Sequence, residues 1–199
     1  MGQRHTQMSE ETTTGDLTVD DAVGRLEADD VAAVARAAFD HAGELAALQH
    51  GHAAAAIGAA RLATRRDRRP TIERGAISTA FDDVDPDDVV AAETVLARHL
   101  GSPAPTAAIR SLRRRLIVAR EFLAAVERGR VAAPELPDSY LADEAPFLLA
   151  RAANGPVCRD DRESTLDATA LRAHVERLEA DLECARLGPR LAALVRAEE

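Results

Sequence analysis

The scarcity of aromatic side chains is the feature that most constrains the fold of this chain. Its 199 residues include four Phe, one Tyr and no Trp, whereas 43 are Ala. A core must therefore be assembled from Ala, Leu and Val. Each small side chain buries little apolar area, at roughly 25 cal/mol per Å², so stability requires many contacts. Because small side chains also let helices approach closely, this composition favours long packed helices over a compact mixed fold.

The charged residues are biased as well. All 25 basic residues are Arg, and with 34 carboxylates the formal net charge is -9. This composition resembles that of salt-accumulating halophiles, in which 1 M salt shortens the Debye length to about 3 Å. Segment 1–17 is polar, lacks a secretory signal and is predicted to be a disordered tail. No apolar run approaches the roughly 18 residues of a membrane span, so we expect a cytoplasmic protein with a helical domain over 18–199.

Helix start and stop signals divide the first part of the chain. Thr18 with Asp21 resembles a capping box and predicts a short helix. A second helix begins near residue 31, is weakly interrupted at Gly51 and continues through the alanine-rich stretch 53–63 towards Pro70. The apolar positions of this second helix that are expected to form one buried face are Val31, Val34, Ala38, Leu45 and Leu48.

The clearest helix start is Asp85 followed by Pro86, which suits the first helical position. This helix is predicted to run to about Leu100. Gly101 fits the residue after a helix, where a left-handed conformation is often needed. Two prolines follow, so the chain can divide into two sub-bundles near 101–106.

Two long helices further along the chain repeat the same apolar spacing of three and four residues. The first stripe comprises Ile109, Leu112, Leu116, Ala119, Leu123 and Val126. The second stripe, after a capping signal at Ser164, comprises Ala168, Leu171, Val175, Leu178, Leu182 and Ala185. Each stripe is shorter than the roughly three to four heptads of an extended coiled coil. This favours a helical hairpin inside a bundle, or a seam between two copies.

The region between the two stripes gives weaker signals. A helix from Asp138 through Arg151 is interrupted by a proline, and Val157 with Cys158 is the one candidate strand. Cys158 and Cys184 have no CxxC spacing, so a structural pair or two buried thiols is expected rather than a redox or zinc site. Together the signals predict an all-α fold, a multi-helix bundle of six to eight helices.

Four residues are candidate metal ligands: His41, Glu44, His50 and His52. Metal sites in helical bundles use histidines and carboxylates from facing helices, with a Glu-x-x-His pattern on two of them. Here the order of the first pair is reversed and not repeated, and the two later histidines diverge on a regular helix unless Gly51 kinks it. We therefore favour solvated or helix-capping histidines, and keep a metal-dependent helical enzyme as the second alternative.

Two arginine clusters have the chemistry to bind phosphate through guanidinium groups. They are Arg65, Arg66, Arg68 and Arg69, and the 110–115 cluster with Arg113, Arg114 and Arg115. A DNA-associated regulator is therefore the first alternative, with the short helices between Thr71 and Leu100 as a helix-turn-helix. The acidic net charge, the lack of stacking aromatics and the acidic turn at 81–85 argue against it, and favour arginines in ion pairs.

No phosphate-binding loop, nucleophile elbow or zinc-protease motif occurs in the sequence. The acidic run 82–88 lacks the glycine and the glutamate of a calcium loop. No cofactor is expected. The sequence therefore favours a non-catalytic helical scaffold or adaptor that associates with itself or with another helical protein. The side chains expected to form that interface are Leu112, Leu116, Leu123, Leu171, Val175, Leu178 and Leu182.

Overall fold

The computed structural model describes residues 17–67, 70–128 and 168–198. Within these ranges the chain forms eight α-helices and a single turn of 3-10 helix, without a strand, so the all-α prediction is confirmed. The helices are α1 (Val19–Arg25), α2 (Ala32–His50), α3 (His52–Arg66), α4 (Arg74–Ala80), α5 (Pro86–Leu100), α6 (Thr106–Glu127), α7 (Ala168–Leu187) and α8 (Pro189–Glu198). None of these helices is long and apolar enough to cross a membrane.

Several predicted features lie outside the described residues. They are nearly all of the predicted tail, the capping signal at Ser164, the Asp138–Arg151 helix and the Val157–Cys158 strand. Leu17, the last residue of the predicted tail, is buried, so the packed chain includes it.

The helices are distributed between two compact units. The first unit comprises residues 1–102 and 187–199, and the second comprises residues 103–186. Helices α1 to α5 and α8 therefore belong to the first unit, and α6 and α7 belong to the second. The chain leaves the first unit near the expected 101–106 linker. Its last helix returns to the first unit, so the second unit is an insertion rather than a C-terminal half.

Helix α3 is the central helix of the first unit. It packs against α1, α2 and α5, and 12 of its 15 residues are buried. The tightest approach is at Gly58, where a Cβ atom would lie 3.0 Å from the backbone nitrogen of Glu93 and 3.2 Å from the carbonyl oxygen of Val89. The alanine-rich sequence thus forms a helix that is enclosed on nearly every side, as expected where residues 53–60 are apolar all round.

The buried face of α2 differs from the predicted one. Leu45 is 44% exposed and Leu48 is 84% exposed, so the predicted stripe is wrong over the second half of this helix. The small residues that α2 buries instead include Ala35, Ala38, Ala42 and Ala46. Interhelical distance depends on the side chains at the contact, and an alanine face lets α2 approach the alanine-rich α3 more closely than leucines would.

Most helix ends in the first unit follow the predicted signals, but the helix expected to continue through Gly51 is divided there into α2 and α3, because Gly51 has φ +86°. The Thr18 hydroxyl accepts from the Asp21 backbone N–H at 3.1 Å, and the Asp21 carboxylate accepts from the Thr18 N–H at 3.1 Å. The Thr18 hydroxyl also donates to the Asp21 carboxylate at 2.6 Å, and this bond, followed by the one from the Thr18 N–H, holds the pKa of Asp21 below its ordinary value. Asp85 caps α5 by accepting from the Asp87 N–H at 2.8 Å, and Gly101 follows α5 with φ +74°. The capping box, the Pro86 start and the left-handed glycine are confirmed.

The second unit contains α6 and α7 packed antiparallel. Near one end, the Ala104 N–H donates to the Ala185 carbonyl oxygen at 2.8 Å. Near the other end, Arg172 pairs with Glu127 at 2.8 Å. The buried side chains between the helices are Leu116, Ala119, Phe122, Leu171, Val175 and Leu178. Phe122 lies outside the predicted stripe, which contained its neighbour Leu123; Phe122 is buried here and Leu123 is only partly buried.

Candidate functional site

The candidate metal ligands on α2 have no further ligand beside them. Within the described ranges, no three His, Cys, Asp or Glu side chains are arranged to hold a metal ion. His41 is half-buried and Glu44 is exposed. Both lie on the same face of α2 as the exposed Leu45 and Leu48, so they belong to a mixed surface patch.

The other two candidate ligands line a shallow cleft of about 220 Å³ at the start of α3. His50 Nδ1 lies 3.5 Å from Asp88 Oδ1, whereas the His52 ring packs edge-on against Phe39 with ring centroids 5.2 Å apart. Gly51 has φ +86°, which supplies the kink that shared ligation requires. The kink nevertheless leaves each histidine with a different neighbour.

The first arginine cluster takes part in contacts within the protein. Glu93 of α5 is buried, and its carboxylate forms ion pairs with both Arg61 and Arg65 of α3. The Arg65 contact is 2.9 Å long. Arg61 also donates through Nε to the carbonyl oxygen of Ile72 at 2.9 Å, which ties the segment before α4 to α3. This group links α3 to α5 at the level of the last two turns of α3.

Glu93 is the most important buried charge that the sequence analysis missed. A signal for it exists in the sequence, because Glu93 lies at the spacing of the apolar positions Val89, Leu96 and Leu100, all of which are buried. Charged residues are almost never fully buried unless they are paired. A carboxylate in the apolar stripe of α5 therefore indicates a cation on the helix that faces it.

Arg66 connects the two points at which the chain passes between the units. It is 6% exposed, and its Nη2 donates to the carbonyl oxygen of Gly101 at 2.6 Å. Its Nη1 donates to the carbonyl oxygen of Leu187. Both acceptors lie at the C-terminal ends of helices, where a positive charge interacts favourably with the helix dipole. Arg66 therefore fixes the exit and the return of the chain within the first unit.

Burial is the largest influence on the pKa of Arg66 and lowers it, the charge of Arg65 lowers it further, and Glu93 raises it. Burial also lowers the pKa of Arg186 on α7. Arginine stays protonated in spite of such shifts because its ordinary pKa is above about 12. The remaining members of the first cluster, Arg68 and Arg69, lie outside the described residues. Arg66 points into the protein, where it cannot reach a phosphate.

The second arginine cluster lies on the outer face of α6. Arg110, Arg113 and Arg114 are exposed, and Arg115 is half-buried. Arg110, Arg113 and Arg114 lie one to two turns before Ile117, which is 54% exposed, and share its face of the helix. Helix α6 carries five arginines and two glutamates, in contrast to the net charge of -9 of the chain. Its outer face is therefore basic, with one large apolar side chain near the centre.

The leucines expected to form an interface pack against each other between α6 and α7. Leu116, Leu171, Val175 and Leu178 are buried there. Three others are only partly buried and flank this cluster, namely Leu112, Leu123 and Leu182. We call these three half-buried leucines together the α6–α7 seam. Cys184 on α7 is half-buried with a free thiol, and Cys158 lies outside the described residues.

Comparison with known proteins adds no relative to this description. No protein-family model, no curated protein and no solved structure matches the chain. Within the described residues, the surfaces with the clearest chemical character are the α6–α7 seam and the basic outer face of α6. Both surfaces are helix faces.

Proposed function

We propose that this protein is a non-catalytic helical scaffold or adaptor that associates with itself through the α6–α7 seam. The observation that supports this proposal is the partial exposure of Leu112, Leu123 and Leu182 beside a fully apolar cluster. Two helices cover each other on one side only, whereas four helices enclose a common core. A second copy packed seam to seam covers these leucines, and the same surface then serves both copies, as in a two-fold interface.

We also propose that the protein works in a cytoplasm of high salt content. It is supported by the net charge of -9 and by the use of arginine alone as the basic residue. Two copies with the same net charge repel each other in dilute buffer. Molar salt shortens the Debye length to about 3 Å, which removes most of that repulsion while leaving apolar contacts in place.

The first experiment is size-exclusion chromatography with light scattering in molar salt, with absorbance recorded at 260 and 280 nm. We expect a discrete dimer without excess absorbance at 260 nm. The chain has one Tyr and no Trp, so bound nucleic acid would dominate the spectrum. A monomer at every protein concentration would contradict self-association.

Two substitutions then test the seam itself. Leu123→Asp with Leu182→Asp should convert the dimer to a monomer that keeps its helical circular dichroism, because both side chains are only partly buried in one copy. Leu178 is unsuitable because it is buried between α6 and α7, and an aspartate there would disrupt the pair. Ser111→Asp, at an exposed position of α6, is the control and should leave the dimer intact. A dimer that survives the double substitution contradicts the seam.

A DNA-associated regulator remains the second candidate, and the basic outer face of α6 is the observation that favours it. The helix-turn-helix between Thr71 and Leu100 receives less support. Asp87 and Asp88 occupy the first turn of α5, where they would face phosphates. Nucleic acid retained by the protein in molar salt, and lost after Arg113→Glu, would favour this second candidate.

A further inference from the structure

Three large apolar side chains are strongly exposed among the described residues, and none of them belongs to the α6–α7 seam. They are Leu45, Leu48 and Ile117. Leu45 and Leu48 lie one turn apart on α2, and Ile117 lies on the outer face of α6. Single exposed apolar residues are common on protein surfaces, so exposure alone does not define an interface. The charges beside these residues distinguish the two patches.

The α2 patch, formed by Asp40, Glu44, Leu45 and Leu48, is acidic. Glu44 lies at i+4 from Asp40 and one turn before Leu48, which places the carboxylates along one side of the two leucines. All four side chains are exposed, and the neighbouring His41 is half-buried. This patch therefore combines an apolar centre with a negative border.

The α6 patch, formed by Arg110, Arg113 and Ile117, is basic. Arg113 lies at i-4 and Arg110 at i-7 from Ile117, so all three share the outer face of α6. Arg114 adds a further charge beside them, and Glu121 is the one carboxylate on this face. The α6 patch thus has the same apolar centre as the α2 patch and a border of opposite sign.

We propose that the α6 patch of one copy binds the α2 patch of a second copy, head to tail. Ile117 contacts Leu45 and Leu48, and the arginines face Glu44 and Asp40, so that both the apolar areas and the charges match. The apolar centre selects a protein surface over nucleic acid, because a phosphate backbone offers nothing that covers Ile117. A second copy of this chain carries a patch of the required size and sign.

This inference rests on the proposed function, because both require the protein to assemble with itself. The surfaces of the head-to-tail contact are separate from the α6–α7 seam. A seam-to-seam contact closes after two copies. A head-to-tail contact joins different surfaces and can continue, giving rings or longer assemblies. At salt concentrations low enough for the charged borders to attract each other, the two contacts together make a scaffold that extends beyond a dimer.

The test uses charge exchange in the full chain at about 0.1 M salt, where the Debye length is about 10 Å. The first variant carries Arg110→Glu with Arg113→Glu, and the second carries Asp40→Arg with Glu44→Arg. In each variant alone, two patches of like charge meet, and we expect the head-to-tail contact to weaken by at least about 100-fold. Arg98→Glu with Arg177→Glu, at exposed positions elsewhere, is the control with the same change in charge as the first variant.

An equimolar mixture of the two variants should restore assembly, as measured by light scattering and sedimentation velocity. The basic α6 patch of the second variant then meets the acidic α2 patch of the first variant, as in the natural protein. The acidic α6 patch of the first variant meets the basic α2 patch of the second, so each contact between the two variants is complementary in charge. Failure of the mixture to associate would overturn the proposal. The substitutions would then have disrupted contacts within each copy, which mixing with the other variant does not restore. Loss of bound nucleic acid in the first variant would also overturn it.

The same measurements separate this proposal from the seam. Raising the salt to about 1 M should weaken the head-to-tail contact, which depends on charge, and leave the apolar seam intact. The seam variant with Leu123→Asp and Leu182→Asp should still form head-to-tail assemblies at low salt. If it does so while the dimer in molar salt is unaffected by those substitutions, the seam is wrong and the head-to-tail contact stands.

Discussion

The two units respond differently to the same shortage of large side chains. In the first unit, several helices surround α3, and small residues such as Ala55, Ala59 and Ala63 are buried completely. In the described part of the second unit, leucines and Phe122 form a cluster between two helices, and Leu123 and Leu182 are only partly buried. The number of neighbouring helices, rather than the apolar content, therefore distinguishes a closed unit from one with an open seam.

Arginines differ between the units in the same way. In the first unit, Arg61 and Arg66 point inwards to a carboxylate and to backbone carbonyl groups. On α6, Arg110 and Arg113 point outwards. The enclosed unit has buried acceptors that need a cation, whereas the open pair leaves one side of each helix to solvent. Arginine clusters of similar sequence thus stabilise the fold in one unit and form a surface in the other.

The largest effect is expected from removing the buried carboxylate of the first unit. Glu93→Ala leaves Arg61 and Arg65 without their shared counter-ion, and should lower the free energy of unfolding by about 3–5 kcal/mol. Urea denaturation followed by circular dichroism measures this loss. Asp20→Ala is the control, since it removes the exposed 2.8 Å pair with Arg36 and should cost at most about 1 kcal/mol. Equal losses would show that the first unit does not depend on its inward-facing arginines.

An intermediate effect is expected in the second unit from Leu171→Ala. Leu171 is buried completely, and its truncation should destabilise the α6–α7 pair by about 3 kcal/mol. The half-buried Leu182→Ala should cost about 1 kcal/mol by the same reasoning, since it leaves a smaller cavity. Hydrogen exchange of the amides in α6 and α7 measures both losses. If the amides of α3 lose as much protection, the two units unfold together and the comparison fails.

The smallest effect is expected at the closest helix approach of the first unit. Gly58→Ala places a methyl group 3.0 Å from the Glu93 nitrogen, and such overpacking should cost about 1–3 kcal/mol. Gly75→Ala is the matched control, because nothing lies within 4 Å of the added Cβ and the helix propensity of alanine is higher by about 1 kcal/mol. Thermal denaturation should therefore shift down for the first variant and up or not at all for the second. A higher melting temperature for Gly58→Ala would show that α3 and α5 are not in tight contact.

Local signals predicted most helix ends, but the helix expected to continue through Gly51 is two helices, α2 and α3. The Thr18 capping box, the Asp85–Pro86 start and the left-handed Gly101 act through neighbours within a few residues, so the sequence contains all of their partners. The prediction of the buried face of α2 was wrong because it relied on the apolar side chains Leu45 and Leu48. Which face of α2 is buried depends on the helix that packs against it. The candidate metal ligands failed to converge for a similar reason, since their separation depends on packing.

By itself, the sequence determined that this protein is a set of closely packed helices, because alanine and leucine with few aromatics permit little else, and it determined where most helices begin and end. Only the tertiary structure decided which face of α2 is buried, that Arg66 binds the carbonyl groups of Gly101 and Leu187, and that the last helix returns to the first unit. The physical reason is the sequence separation over which each interaction acts. Capping and periodicity act over one or two turns, whereas a buried face or a counter-ion is supplied by residues up to 121 positions away.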